Sequence, residues 1–253
     1  MTLNKEGIER MFGIKFNEVK QKNALVRIAC FTLLLAIVLI LTLIKNITVT
    51  ISFLSNGYVI PIILLIVTIL LYLLVIKYLF NVYKTVSSNN EKMPFKRSIK
   101  YLIYGLVAMI IFHVIAAITI HSTGVNKFDN SLGVLTIIIL GIFYILLSPL
   151  IEELIIRGIF FNLFFQKPMK GLKNLFGTTN KANIFNIFLC ILVSSFIFTI
   201  LHNATGILPM LNYMFNGIIM GILYVKTKNI YICISYHVIN NIIAYIPIIA
   251  FIF

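Results

Sequence analysis

Long apolar runs separated by short polar stretches dominate the chain. Seven of them, roughly 24–44, 58–80, 100–120, 131–151, 184–203, 208–225 and 229–250, reach or approach the length of about 20 residues that a helix needs to cross a hydrocarbon core. The fourth run does not stop at 151. Its apolar character continues through IIRGIFFNLFF to Phe165, so it is either one long tilted helix or a span followed by a second short helix. The pattern therefore predicts an all-α, polytopic integral membrane bundle of seven or eight transmembrane segments. Residues 1–23 form a basic cytoplasmic tail or, because Ile8, Met11, Phe12 and Phe16 are interleaved with cations, a helix lying on the membrane interface. Residues 24–253 read as a single membrane domain, since no linker is long enough to mark a second one.

Composition supports this reading. Of 253 residues, 60% are hydrophobic and 11% charged. So few charges cannot solvate the surface of a soluble domain, and so much apolar sequence excludes disorder. The chain carries 21 Lys and Arg against 7 Asp and Glu, a net charge of +14, and the location of these cations decides what they mean. Lys5, Arg10, Lys15, Lys20, Lys22 and Arg27 precede the first run, and Lys45 falls in the first loop. Lys84, Lys92, Lys96, Arg97 and Lys100 fill the second loop, and Lys127 sits beside Asp129 in the third. Lys167, Lys170, Lys173 and Lys181 come after the fourth run, the loop near 204–207 has none, and Lys226 and Lys228 mark the last. Rich and poor loops alternate, as the positive-inside rule expects of a protein with a cytoplasmic N-terminus. No aromatic-basic platform or groove-reading helix is visible, so nucleic acid is not an expected partner. The polar N-terminal stretch is long and lacks a persuasive cleavage site, so no cleavable signal peptide is expected. Cys30, Cys190 and Cys233 each stand alone in an apolar run, without metal-ligand spacing, and read as small buried hydrophobes.

The acidic residues carry the sharpest chemical signal. Glu6, Glu9, Glu18, Glu91 and Asp129 lie in the tail or in loops, but Glu152 and Glu153 are adjacent and flanked by apolar sequence, LLSPLIEELIIRGIFF. An ionised carboxylate in hydrocarbon costs several kcal/mol or neutralises, and a like-charged neighbour adds to that. Such a pair marks function unless it simply reaches water at a helix end. Arg157 comes four residues after Glu153, which places the two on one helix face, while Glu152 points about 100° away. One carboxylate can thus be held and the other can work; spacing does not say which. Pro149 predicts a helix start or kink just before them.

Among the histidines, His202 comes four residues after Phe198 and His237 precedes Asn241 by four, so each pair shares a face. Asn240, three residues from His237, competes with Asn241. His113 reads as packed or pore-lining and His121 as interfacial. A carboxylate pair and two histidines from three apolar segments are the groups needed to activate a water and stabilise an oxyanion. No HExxH helix occurs. Glu152, His202 and His237 nevertheless make an accepted ligand set for a divalent metal such as zinc, and a metal-free site with glutamate as base is equally complete. Depth is the difficulty. His202 lies late in the fifth run and His237 early in the seventh, and those helices point the same way. Gly217 and Gly221, one turn apart, suit close helix approach.

The pieces EELIIR at Glu152–Arg157, FTILH at Phe198–His202 and HVINN at His237–Asn241, with the glycine-containing GIIMGILYVKTKN before the last, resemble the CAAX protease and bacteriocin-processing (Abi) family of intramembrane proteases. The resemblance spans about residues 130–245. It implies a membrane endopeptidase acting on a prenylated, CAAX-like substrate or a bacteriocin-related one, in the lipid bilayer of a bacterial plasma membrane. It implies further that Glu152 activates water with His202 assisting, that Glu153 and Arg157 orient the site, and that His237 and Asn241 bind the oxyanion or help hold a metal. Two other classes fit the same polar residues: a small ion-coupled transporter using Glu152, Glu153 and Arg157 as a relay, and a non-enzymatic bacteriocin immunity protein.

Overall fold

A computed structural model describes residues 16–19, 23–55, 57–87, 92–119, 134–164 and 179–250. All seven apolar runs form helices: α1 (Ala24–Leu54), α2 (Val59–Val86), α3 (Phe95–Thr119), α4 (residues 134–164), α5 (Thr179–Leu201), α6 (Ile207–Thr227) and α7 (Ile230–Ala250). Among the described residues there is no strand. The protein is a helical membrane bundle: α1 to α6 are long and apolar enough to cross a bilayer, and α7 is a shorter apolar helix. Of the N-terminal segment, Phe16–Val19 form one helical turn, with Phe16 and Val19 buried; residues 1–15 and 20–22, like His121, lie outside the described residues.

The helices run longer than the apolar tracts. α1 continues ten residues past the predicted end at 44, because its late polar side chains find partners inside the bundle. The Thr48 hydroxyl meets that of Thr68 on α2 at 2.8 Å, and Ser52 donates to the carbonyl of Thr48. This extension corrects the placement of Lys45: it is not in a loop but inside α1, 6% exposed.

The fourth tract resolves as one continuous helix rather than a span and a separate short helix. It is α-helical at Val134–Gly141, a π-helix at Ile142–Leu147, α-helical at Ser148–Glu153, a π-helix again at Leu154–Ile159, and α-helical at Phe160–Phe164. Pro149 explains the first interruption, since it has no N–H to donate and its ring clashes with the carbonyl four residues back. Widening the preceding turn relieves this, and Ser148 N–H reaches back five residues to the Phe143 carbonyl. Phe160 does the same to Ile155. Each extra residue per turn rotates the remainder of the helix about its axis, which is why π-bulges are frequent where a side chain must be aimed. Here two of them bracket the carboxylate pair.

One end of the bundle collects the starts of α1, α3, α5 and α7 and the ends of α2, α4 and α6. Arg27 of α1 donates to the Leu163 carbonyl of α4, Asn186 of α5 to that of Phe164, and Asn229 to that of Met93, beside α3. The Phe80 and Tyr231 rings join α2 to α7 there. Lys84, Lys92, Lys96, Arg97, Lys100, Lys226 and Lys228 lie at this same end.

α5 and α6 pack most closely. A Cβ on Gly217 would fall 2.9 Å from Ser195 Cα, and one on Gly221 3.2 Å from Ile191. The first contact is with backbone, so no side chain can give way. Gly217→Ala is expected to push the helices apart and cost about 1–3 kcal/mol, read as a lower Tm in detergent. An unchanged Tm would show that the contact is slack.

This pairing also settles depth. Ser195 is level with Gly217 and Thr199 with Met214, the latter by a hydroxyl-to-sulfur contact of 3.9 Å. The end of α5 therefore lies level with the first third of α6, beside Tyr213, and residues 202–206 return to the start of α6 through left-handed Asn203 and Gly206 (φ +46° and +95°). On the other side of α6, Cys233 of α7 meets the Met220 carbonyl and Tyr236 donates to Asn216. A late residue of α5 and an early residue of α7 thus arrive at nearly one level.

Candidate active site

The buried Glu153–Arg157 pair is the foundation of the site. Both side chains have no exposed surface. Arg157 Nη1 donates to Glu153 Oε1 at 2.9 Å, Nη2 donates to the Gly217 carbonyl at 3.2 Å, and the guanidinium lies over the Phe198 ring, 4.7 Å from its centroid. The predicted i, i+4 pairing is present, and it spans the start of the second π segment. The same oxygen of Glu153 accepts a hydrogen from His237 Nδ1 at 3.0 Å. A carboxylate behind an imidazole fixes both its tautomer and its orientation, so His237 turns Nε2 away from Glu153.

That Nε2 points at Glu152. Glu152, a hundred degrees round the helix from Glu153, is 18% exposed, and its Oε2 lies 4.0 Å from His237 Nε2 and 3.7 Å from His202 Nε2. His202 is fixed in the same manner from behind, with Nδ1 donating to the Phe198 carbonyl at 2.8 Å. Its ring packs against those of Phe198 and Tyr213, at centroid distances of 4.3 and 4.2 Å. The structure therefore brings together Glu152, Glu153, Arg157, His202 and His237. Asn241 lies one turn beyond His237 and is engaged with the backbone, Nδ2 donating to the Tyr144 carbonyl at 2.7 Å. His113 is elsewhere. It faces outward from α3, with Nδ1 donating to the Met109 carbonyl of its own helix.

Glu152 Oε2 is buried and, among the described residues, has no hydrogen-bond partner. One atom can supply what is missing. One ligand atom from each of Glu152, His202 and His237 lies within 4.8 Å of the other two, so a single water at an ordinary hydrogen-bond length of about 2.8 Å reaches all three. The same donor set, one carboxylate and two imidazoles each held from behind, also fits a divalent metal.

Sequence reasoning found Phe198 as a cover for His202 but not its wider role, since it also lies edge-on to His237 and under Arg157. It missed Tyr213. The signal was available: Tyr213, Gly217 and Gly221 are successive members of one face of α6, and the glycines mark that face as the one against α5. All three cysteines are free and buried.

No curated protein and no solved structure matches the chain. Residues 134–243, the stretch that holds every side chain of this cluster, match the family model described as type II CAAX prenyl endopeptidase Rce1-like, so this part of the chain is similar to that family.

Proposed function

We propose that the protein is an intramembrane endopeptidase in which a water held between Glu152, His202 and His237 attacks the carbonyl of a peptide bond. The observation that carries this reading is the convergence of two imidazole Nε2 atoms on a carboxylate oxygen that has no partner of its own. Glu152 takes a proton from the water as it attacks and delivers it to the leaving amine. In its protonated form His237 offers Nε2–H to the tetrahedral oxyanion, with the Glu153 carboxylate behind it. Asn241 gives one amide hydrogen to Tyr144 and keeps a second for the oxyanion. Arg157 holds Glu153 in place, and so acts through His237. Where a divalent metal such as zinc is used, Glu152, His202 and His237 would hold it, and it would polarise the carbonyl and acidify the water.

The likeness to prenyl endopeptidases supports a lipid-modified, CAAX-type or bacteriocin-related peptide as substrate, presented at the membrane. The cations gathered at one end of the bundle support an inward-facing N-terminus, and the resemblance to bacteriocin-processing proteins supports a plasma membrane of bacterial type, with residues 24–253 acting as one membrane domain.

His202→Ala is expected to lower cleavage of a quenched peptide in proteoliposomes at least about 100-fold, with insertion unchanged. Full activity in that variant would overturn the assignment. Chelation separates the two forms of the site: loss of activity restored by zinc assigns the metal form, and activity indifferent to chelator assigns the metal-free one.

A further inference from the structure

Lys45 is not used by this mechanism and lies outside the matched region, yet it is the side chain hardest to explain as packing. It sits in α1, nine residues before the end of that helix, and is 6% exposed. Its ammonium lies over the Tyr144 ring, 4.4 Å from the centroid. Among the described residues it has no hydrogen-bond acceptor and no ion-pair partner. An aromatic face only partly replaces the water that a largely buried cation has lost.

Its surroundings point toward the site. Tyr144 belongs to the first π segment of α4, and its carbonyl accepts from Asn241. Asn241 lies one turn along the face of α7 that presents His237 to Glu152. One continuous line thus runs from the catalytic carboxylate, past His237 and Asn241, to Lys45. Tyr144 precedes Glu152 by eight residues, about 12 Å along a helix axis, a distance that three or four residues of extended peptide cover.

We infer that Lys45 is a substrate-binding residue, the anion subsite that receives a carboxylate of the bound peptide and so sets where the chain lies against the water at Glu152. This inference rests on the endopeptidase reading and deepens it. The carboxylate comes from the free C-terminus of the peptide or from an acidic side chain, and the test separates these sources.

The test measures binding of a dansyl-labelled apolar pentapeptide to the full chain in nanodiscs, in a Glu152→Gln background so that nothing is cleaved. The peptide is made as free acid, as C-terminal amide, and as amides carrying an internal aspartate or asparagine. The free acid is expected to bind at least tenfold tighter than the amide. If the side chain is the source, the aspartate peptide shows that advantage over the asparagine one instead. Lys45→Met should bring the ratio to about one, and Lys45→Arg should restore part of it. Equal binding of all four peptides by the chain with Lys45 intact overturns the proposal, and that comparison does not depend on any Lys45 variant folding. Retention of the preference in Lys45→Met overturns it too. Cleavage assays with Glu152 intact tell the two failures apart: cleavage without carboxylate preference removes only the Lys45 subsite, whereas neither binding nor cleavage of any peptide removes the endopeptidase reading and the subsite with it.

Discussion

Glu152→Gln is expected to lower the rate of peptide hydrolysis by about 10²–10⁴-fold while the protein inserts and folds as before. The substitution preserves shape and removes only the ability to take and return a proton. Its structural cost should be small because Glu152 has little to lose: Oε2 makes no hydrogen bond, and the side chain keeps 18% of its surface exposed. A residue with so few structural ties and two aimed imidazoles opposite it is built to work on something else. The measurement is kcat for a quenched peptide in proteoliposomes, with Tm in detergent as the control. Activity within a few-fold of the unchanged protein would sink the role assigned to Glu152. A large fall in Tm would mean that the loss reports unfolding instead.

Glu153→Gln should behave differently, and the contrast shows what the sequence could and could not reveal. Adjacent carboxylates in an apolar tract are legible because the bilayer penalises them so heavily, and the four-residue step to Arg157 was enough to predict the pair. Which glutamate works depends on where each points, and two π segments set that direction. Nothing in the hydrophobic pattern announces them beyond Pro149, because a single extra residue in a turn leaves the apolar run unbroken. The seven helices were legible for a simple reason: hydrocarbon demands about 20 apolar residues per crossing. Their ends were not, because Thr48, Ser52 and Thr68 satisfy one another or their own backbone and let the helices run on. The same effect hid Lys45, which looks like a loop cation as long as the helix is assumed to stop with its apolar tract. The meeting of His202 with His237 required α5 to end level with the first third of α6, beside Tyr213. That is a fact of register, and it lies in the close contacts of Gly217 and Gly221 rather than in the length of any run.

Arg157→Met is expected to have the largest effect on stability, about 3–5 kcal/mol, because it leaves the Glu153 carboxylate buried with no cation. The pair has no solvent to fall back on. Among the described residues, Glu153 Oε2 and Arg157 Nε are already buried without hydrogen-bond partners, so each charge depends on the contacts that remain. Arg157 also bridges three elements, through Glu153 on α4, the Gly217 carbonyl on α6 and the Phe198 ring on α5. A lysine has neither the fork nor the flat face to repeat this, so Arg157→Lys should fall well short of rescue. The double variant Glu153→Gln with Arg157→Met separates stability from function. Removing both charges should recover much of the lost Tm, since a neutral, well-packed replacement for a buried ion pair is often no less stable than the pair itself. Cleavage should stay low even so, because His237 Nδ1 would no longer face an anion and its Nε2 would lose its fixed aim at Glu152. If the double variant recovered both Tm and activity, the ion pair would be structural only and His237 would need no orienting carboxylate. If Arg157→Met alone left Tm unchanged, Glu153 would have to be protonated or hydrated in the folded protein, and the buried pair would not be the foundation of the site.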